Sequence, residues 1–268
     1  MYSAVSSLIA QPIREIHDPA SARNQSVSRS YVYNYKWAQM AGMYDLLAGT
    51  HGGTLFVWDA SNNEFIYISH RALQLTGYDA RSFTGSEGMQ MYLNQIHEVH
   101  QSGAVKIMQR LHEFRKGLKE LQIDMQGYSA SFDYIFRHKN GKCYRNLLCC
   151  MEMDMDATRL PHMVFNTHFD ISHLRKSTKQ TLVIKTPRQV HIFHYSEQTQ
   201  HLTQAKSITK AEHQVLAALA AGKESKHIGN ELFISPHTVD THRRNLLNKL
   251  NCTDTTALVT FARMVGVI

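Results

Sequence analysis

The stretch ELFISPHTVDTHRRNLLNKL, Glu231 to Leu250, sets the fold of the C-terminal part of this chain. Ser235 offers a hydroxyl that accepts from a free helix N–H. Pro236 follows it at the first helical position, where a missing N–H costs nothing. A helix running on from His237 to Leu250 is therefore well started. Val239, Leu246, Leu247 and Leu250 form its inward stripe, with the apolar stem of Arg243 at the edge. Asn251 then supplies the left-handed residue that closes a helix. Upstream, AEHQVLAALAAG sets Val215, Leu216 and Leu219 on one stripe and stops at Gly222, and SKHIGNELF carries Ile228 and Leu232 four apart. Downstream, TDTTALVTFARMVG supplies a fourth helix, capped by Thr253 or Asp254. Four short helices with a tight Phe233-Ile234-Ser235 turn between the second and third make a helix-turn-helix.

Residues 207–268 resemble the LuxR-type (GerE-like) domain along its whole length. The residues carrying the likeness are Thr209, Glu212, Val215-Leu216, Gly222, Lys226 with Ile228, and Leu232-Phe233-Ile234-Ser235. It continues through Thr238-Val239, Thr241-His242, Asn245-Leu246, Lys249-Leu250 and Thr256. Two positions depart from the pattern. Glu224 replaces the usual capping serine, which moves the expected cap of the second helix to Ser225. Asp240 stands where a lysine is common, and an aspartate near phosphates is repelled unless it accepts from a cytosine amine or braces an arginine. The resemblance implies binding to double-stranded DNA. Three- and four-residue steps set His237, Asp240, Thr241, Arg244 and Asn248 on the outer face of the third helix, and Thr238 joins them as base-facing. Lys226, Arg243 and Lys249 are expected at phosphates. Such domains commonly dimerise on inverted half-sites through the last helix, which implies Thr255, Val259 and Ala262 at a homodimer contact.

The N-terminal part has a different period. Residues 1–30 are rich in Ser, Ala and Gln and are expected to be poorly ordered. Tyr31 to Leu47 has helical spacing, with a face for its own domain or for a dimer. TLFVWD and EFIYIS read as a hairpin, HRALQLTGY as a short helix, and Met89 to Leu118 as one or two helices. FDYIFRHK and KCYRNLLCCMEMDM flank Asn140-Gly141, which predicts a type I′ hairpin with both central positions at positive φ. HMVFNTHFDIS adds a strand. The expected class is α+β, an antiparallel sheet with helices on one face.

That order, together with the strand ending at Asp59, ALQLTGYD (72–79), RHKNGKCYRNLL (137–148) and FDISHLRK (169–176), resembles the PAS sensor family over residues 45–176. The resemblance implies a PAS-like sensor or dimerisation domain over residues 31–176 that encloses a small cavity. Phe56, Trp58, Phe65, Tyr67, Tyr134 and Phe136 are its candidate ligand-pocket lining, although alternating aromatics on strands are more often plain core. No Gly-x-Asn-Cys segment of the flavin-photoreceptor type occurs, so a covalent flavin mechanism has no support. Residues 177–206, with TLVIK and VHIFHY, read either as a linker or as an extension of the sheet.

Composition narrows the remaining classes. The chain has 268 residues, a net charge of +7 and 43% hydrophobic residues. It has no apolar run of the roughly 18 to 20 residues a membrane span needs and no basic n-region ahead of an apolar core, so a cytoplasmic location is expected. Four cysteines form no C-x2-C pair, and reduced structural thiols are expected. The 17 histidines include His97/His100 and His191/His194 at three-residue steps, but no metal-ligand string completes a site. Phosphate-cradling glycine loops and Gly-x-Ser-x-Gly elbows are missing, so no enzyme is expected and no cofactor is assigned. The expectation is a transcriptional regulator whose PAS-like domain receives a signal, with a small molecule as its ligand, or mediates dimerisation. The alternative is a PAS-based adaptor whose C-terminal helices bind protein rather than DNA.

Overall fold

The computed structural model describes residues 43–59, 64–83, 85, 87–120, 128–155 and 161–268. The segment expected to be poorly ordered and the start of the helix expected from Tyr31 lie outside the described residues. Helical residues 43–50 (α1) lead into β1 (Thr54–Asp59) and β2 (Glu64–Ile68). Then follow α2 (Ala72–Thr76), a 3-10 turn at Ala80–Phe83, α3 (Gly88–Asn94) and α4 (Glu98–Glu120). The sheet resumes with β3 (Ser129–Arg137), β4 (Cys143–Met155) and β5 (Pro161–Asp170). A 3-10 turn at Ser172–Leu174 passes the chain to β6 (Gln180–Lys185), β7 (Val190–Ser196) and β8 (His201–Gln204). The C-terminal helices are α5 (Lys210–Ala220), α6 (Ser225–Leu232), α7 (Pro236–Leu250) and α8 (Thr255–Met264).

The eight strands form one antiparallel sheet in the order β2-β1-β5-β4-β3-β6-β7-β8. The first five give a PAS-like sheet. Residues 180–204 pair beside β3 and extend it, because β6 alternates its side chains with the same period as its neighbours: Leu182 and Ile184 face one way, Val183 the other. Helices α2, α3 and α4 cover the inner face, where Phe56, Phe65, Phe132, Tyr134, Phe136, Phe193 and Ile107 are buried together. On the opposite face α1 packs Tyr44 edge-on against Phe165, and α5, α7 and α8 cover the rest. Cys149 and Cys150 show the alternation in β4: Cys150 joins the inner core, and Cys149 faces the C-terminal helices.

Two local expectations need correction. Of the Asn140-Gly141 pair only Gly141 has positive φ, at 85°. Gly141 N–H donates to His138 O, and His138 N–H to Lys142 O, so the hairpin closes with a three-residue loop and a left-handed glycine rather than a type I′ turn. Tyr67 does not join the other candidate pocket residues. Register slips between Val57 and Trp58, so Phe65 pairs with Trp58 while Tyr67 pairs with Val57. The extra residue, Ile66, reverses the alternation. Tyr67 therefore lies on the outer face, where its hydroxyl donates to Asp45 at 3.1 Å.

Candidate nucleic-acid interface

The turn between α6 and α7 is built from backbone fit. Phe233 ends α6 in the left-handed region (φ 54°, ψ 41°), and Ile234 N–H donates back to Gly229 O at 3.0 Å. A Cβ at Gly229 would meet Ile234 O at 2.7 Å, so the chain turns this tightly only because that position is glycine. Ser235 Oγ accepts from Thr238 N–H at 3.0 Å, Pro236 opens α7, and Asn251 closes it at φ 53°. Val215, Ile228 and Val239 form a small buried core that fixes the angle between α5, α6 and α7.

Along the outer face of α7, His237, Arg244 and Asn248 are exposed, and Asp240 and Thr241 are partly so. Arg244 has no partner among the described residues, which leaves its guanidinium open for bidentate contact. Thr238 is committed locally: its hydroxyl sits 2.8 Å from Ser235 Oγ. Thr241 Oγ1 donates to His237 O at 3.0 Å. Asp240 accepts from Ser225 Oγ at 2.7 Å and pairs with Arg243 at 2.9 Å. The aspartate that replaces the common lysine therefore braces an arginine and ties α6 to α7. That also explains α6: its N-cap stays at Glu224 without a side-chain bond, because Ser225 spends its hydroxyl on Asp240.

The three cations expected at phosphates differ in availability. Lys226 is exposed, and Arg243 is half-exposed in its pair with Asp240. Lys249 Nζ donates to both Glu212 oxygens at 2.8 and 2.6 Å and to Ser207 O at 2.9 Å. Its partner also completes a capping box with Thr209 at the start of α5. Burial opposes the Glu212 charge, but the hydrogen bonds from Lys249 and Thr209 outweigh it and hold the carboxyl below the usual range. Lys249 is thus a fastener between α5 and α7.

Helix α8 is also used internally. Ala262, expected at a contact between copies, is fully buried with Leu258, Phe261 and Val265 against Leu147, Ile171, Leu174, Val183 and Ile192. Val259 is half-buried beside the same cluster, and Thr255 is half-buried in the first turn.

A clasp of charges that sequence reasoning missed holds the sheet to the end of α7. Asp133, fully buried on β3, pairs with Arg145 and, at 2.8 Å, with Arg175. Arg175 also donates to Leu250 O at 2.8 Å, and its guanidinium lies 4.6 Å from the Phe261 ring centroid. Arg145 donates to Thr178 O and Lys179 O at 2.9 and 2.6 Å. His100 receives Ile135 N–H on Nδ1 at 2.7 Å and reaches Thr178 O from Nε2 at 2.9 Å. Burial, and then the Arg145 charge, lowers its pKa to about 4, so it is neutral. Only the LRK string, through Arg175, hinted at the clasp, because a buried aspartate between aromatics reads in sequence as an ordinary strand position.

On the inner face Phe56, Phe65, Tyr134 and Phe136 are buried in one cluster with Trp58 packed on it. Three unpredicted side chains bring polarity there. His168 Nδ1 lies 3.2 Å from both Tyr92 Oη and Asn146 Nδ2, and Tyr92 and Tyr134 share a short hydroxyl contact. Burial lowers His168 to about 3 and raises both tyrosines well above their ordinary value. Asn146 Oδ1 and Tyr144 Oη are buried without partners among the described residues.

Comparison with known proteins finds similarity in the C-terminal part. Residues 206–262 match the family described as "Bacterial regulatory proteins, luxR family". The transcriptional regulatory protein LiaR of Bacillus subtilis is 46% identical over 57 residues, 21% of this chain and 27% of its own length. FixJ of Rhizobium meliloti, also a transcriptional regulatory protein, is 39% identical over 61 residues, 23% of this chain and 30% of its own. This chain thus spans less than a third of either relative. Among solved structures, a Vibrio cholera VqmA-ligand-DNA complex aligns over 86% of this chain and 89% of its own, at 16% identity and a TM-score of 0.29. The PAS domain of the fruit-fly ELK potassium channel aligns over 51% of this chain and 98% of its own, at 20% identity and a TM-score of 0.34.

Proposed function

We propose that this chain is a DNA-binding transcriptional regulator in which α7 reads the major groove and the PAS-like domain receives the signal. The observation that carries the reading is the capped, well-anchored α7 with an outer face of exposed His237, Arg244 and Asn248 and half-exposed Thr241. An α-helix fits the major groove, and Arg, Asn and Thr are side chains that read base edges there. Lys226, exposed on α6, is assigned to phosphate, and Arg243 to phosphate or to bracing, with Asp240 as its fixed partner. Lys249 and Thr238 act through the fold. As α8 is spent on the sheet, Thr255 is the residue of the three best placed for a homodimer contact in this arrangement.

For the signal, the unpaired Asn146 Oδ1 and Tyr144 Oη in an aromatic surround favour a small uncharged polar molecule on the inner face of the sheet. Burial there excludes a permanent charge, which would find no counter-ion.

A mobility-shift titration with random duplex at two salt concentrations tests the DNA reading. A regulator loses affinity steeply as salt rises, because bound phosphates release counterions. A protein-binding adaptor shows no such slope. On a selected operator, Arg244→Ala costs about 1–3 kcal/mol, while Lys226→Ala weakens all duplexes and lowers the slope by about one. Unchanged affinity in both variants rejects this geometry.

A further inference from the structure

We infer that the sensor-domain segment Lys176–Lys179 is part of the DNA-binding surface, with the Lys176 ammonium taking a backbone phosphate beside the end of α7. The inference rests on α7 being the reading helix. It begins from the end of that helix nearest the sensor domain, where Lys249 is tied to Glu212 and Ser207 and is not free for phosphate.

The sensor domain supplies the missing cation. Lys176 N–H donates to Asn251 O at 3.1 Å, and Ser177 Oγ donates to Asn251 Oδ1 at 2.9 Å. Asn251 Nδ2 in turn donates to Lys179 O at 3.2 Å. From beneath, Arg145 and His100 hold the Thr178 and Lys179 carbonyls. The backbone of this segment is therefore fixed to the C-cap of α7, while the side chains of Lys176, Ser177, Thr178 and Lys179 are all exposed. Lys176 Nζ lies 3.4 Å from Asn248 Oδ1. Asn248 follows Arg244 by four residues and Thr241 by seven, so the ammonium stands at the level of the reading face. The negative end of the helix dipole favours a cation there before DNA arrives. The nearby acid, Asp254, is occupied as the N-cap of α8 through Ala257 N–H at 2.9 Å and by the Thr253 hydroxyl. A duplex lying along α7 thus meets the 176–179 segment as a continuation of the helix.

Phosphate contacts are independent of sequence, so a random duplex is a sufficient probe. The salt dependence of binding is measured for the full chain, for Lys176→Ala/Lys179→Ala, and for Lys142→Ala, on the exposed β3-β4 hairpin that meets α2 through Lys139 N–H to Thr76 O at 2.9 Å. Each lost phosphate contact reduces the slope of log K against log salt by about 0.9. The double variant is expected to lose one to two units of slope, and the Lys142 variant none. An unchanged slope in the double variant overturns the inference, and so does an equal loss in Lys142→Ala, which would reduce the effect to net charge. If the unaltered chain itself shows no steep salt dependence, the DNA-binding reading falls first and this inference falls with it.

Discussion

The two sides of β3 bury polar groups in opposite ways. Tyr134 points into an aromatic core where Tyr92, Asn146 and His168 are all uncharged, and Asn146 Oδ1 has no partner among the described residues. Its neighbour Asp133 points to the other side, where a full carboxylate is matched by two arginines and the Thr181 backbone N–H at 3.0 Å. A neutral, partly unsatisfied face suits a site that exchanges its occupant, since an uncharged group left unpaired costs far less than a buried ion. A closed ionic face suits a joint between two domains: each charge needs the others, so it holds one arrangement. Successive residues of one strand therefore separate a neutral polar cluster on one face from the fastening of the C-terminal helices on the other.

The largest effect expected from this contrast is at the joint. Asp133→Ala leaves Arg145 and Arg175 buried without a counter-charge and should cost about 3–5 kcal/mol in urea unfolding. A loss below about 1 kcal/mol would mean that the joint is hydrated and the two faces are alike. On the neutral face the test is acid. His168 is lowered from 6.5 to about 3, so above pH 6.5 folded and unfolded chains are both neutral there and the residue adds nothing to the pH dependence. As pH falls below 6.5 the unfolded chain takes up a proton that the folded chain declines, and stability drops by about 1.4 kcal/mol per unit. His168→Gln should therefore shrink the stability loss between pH 6.5 and 5 by roughly 2 kcal/mol, as read by unfolding at each pH. The same loss in both proteins would place His168 in contact with water. The smallest effect separates fastening from DNA contact. Lys249→Met should cost about 1–2 kcal/mol of stability, because the Glu212 carboxylate loses its charged donor. It should leave the salt slope of DNA binding unchanged, and a lost unit of slope would return Lys249 to the phosphate.

The helix-turn-helix was legible because its signals are local. Ser235-Pro236, the leucine stripe and Asn251 each act within a few residues, and the structure shows Ser235 as N-cap and Asn251 as left-handed C-cap. The strands were legible from alternation for the same reason. Tyr67 was misassigned because one extra residue in β2 reverses that alternation, and nothing in EFIYI marks the bulge. Asp240 was recognised as a departure, but its partners lie three and fifteen residues away, on α7 and at the start of α6.

The sequence by itself determined the helix-turn-helix, its caps at Ser235 and Asn251 and the residues that α7 presents outward, since each depends on spacing within one element. Only the tertiary structure decided which of those residues are free. Lys249 goes to Glu212, Asp240 to Ser225 and Arg243, and Ala262 to the sheet, while Lys176 arrives beside Asn248 from the other domain. The physical reason is that a side chain's partners are set by burial and by distances between elements remote in sequence. A charged residue that finds a partner inside the fold is no longer free to serve outside it.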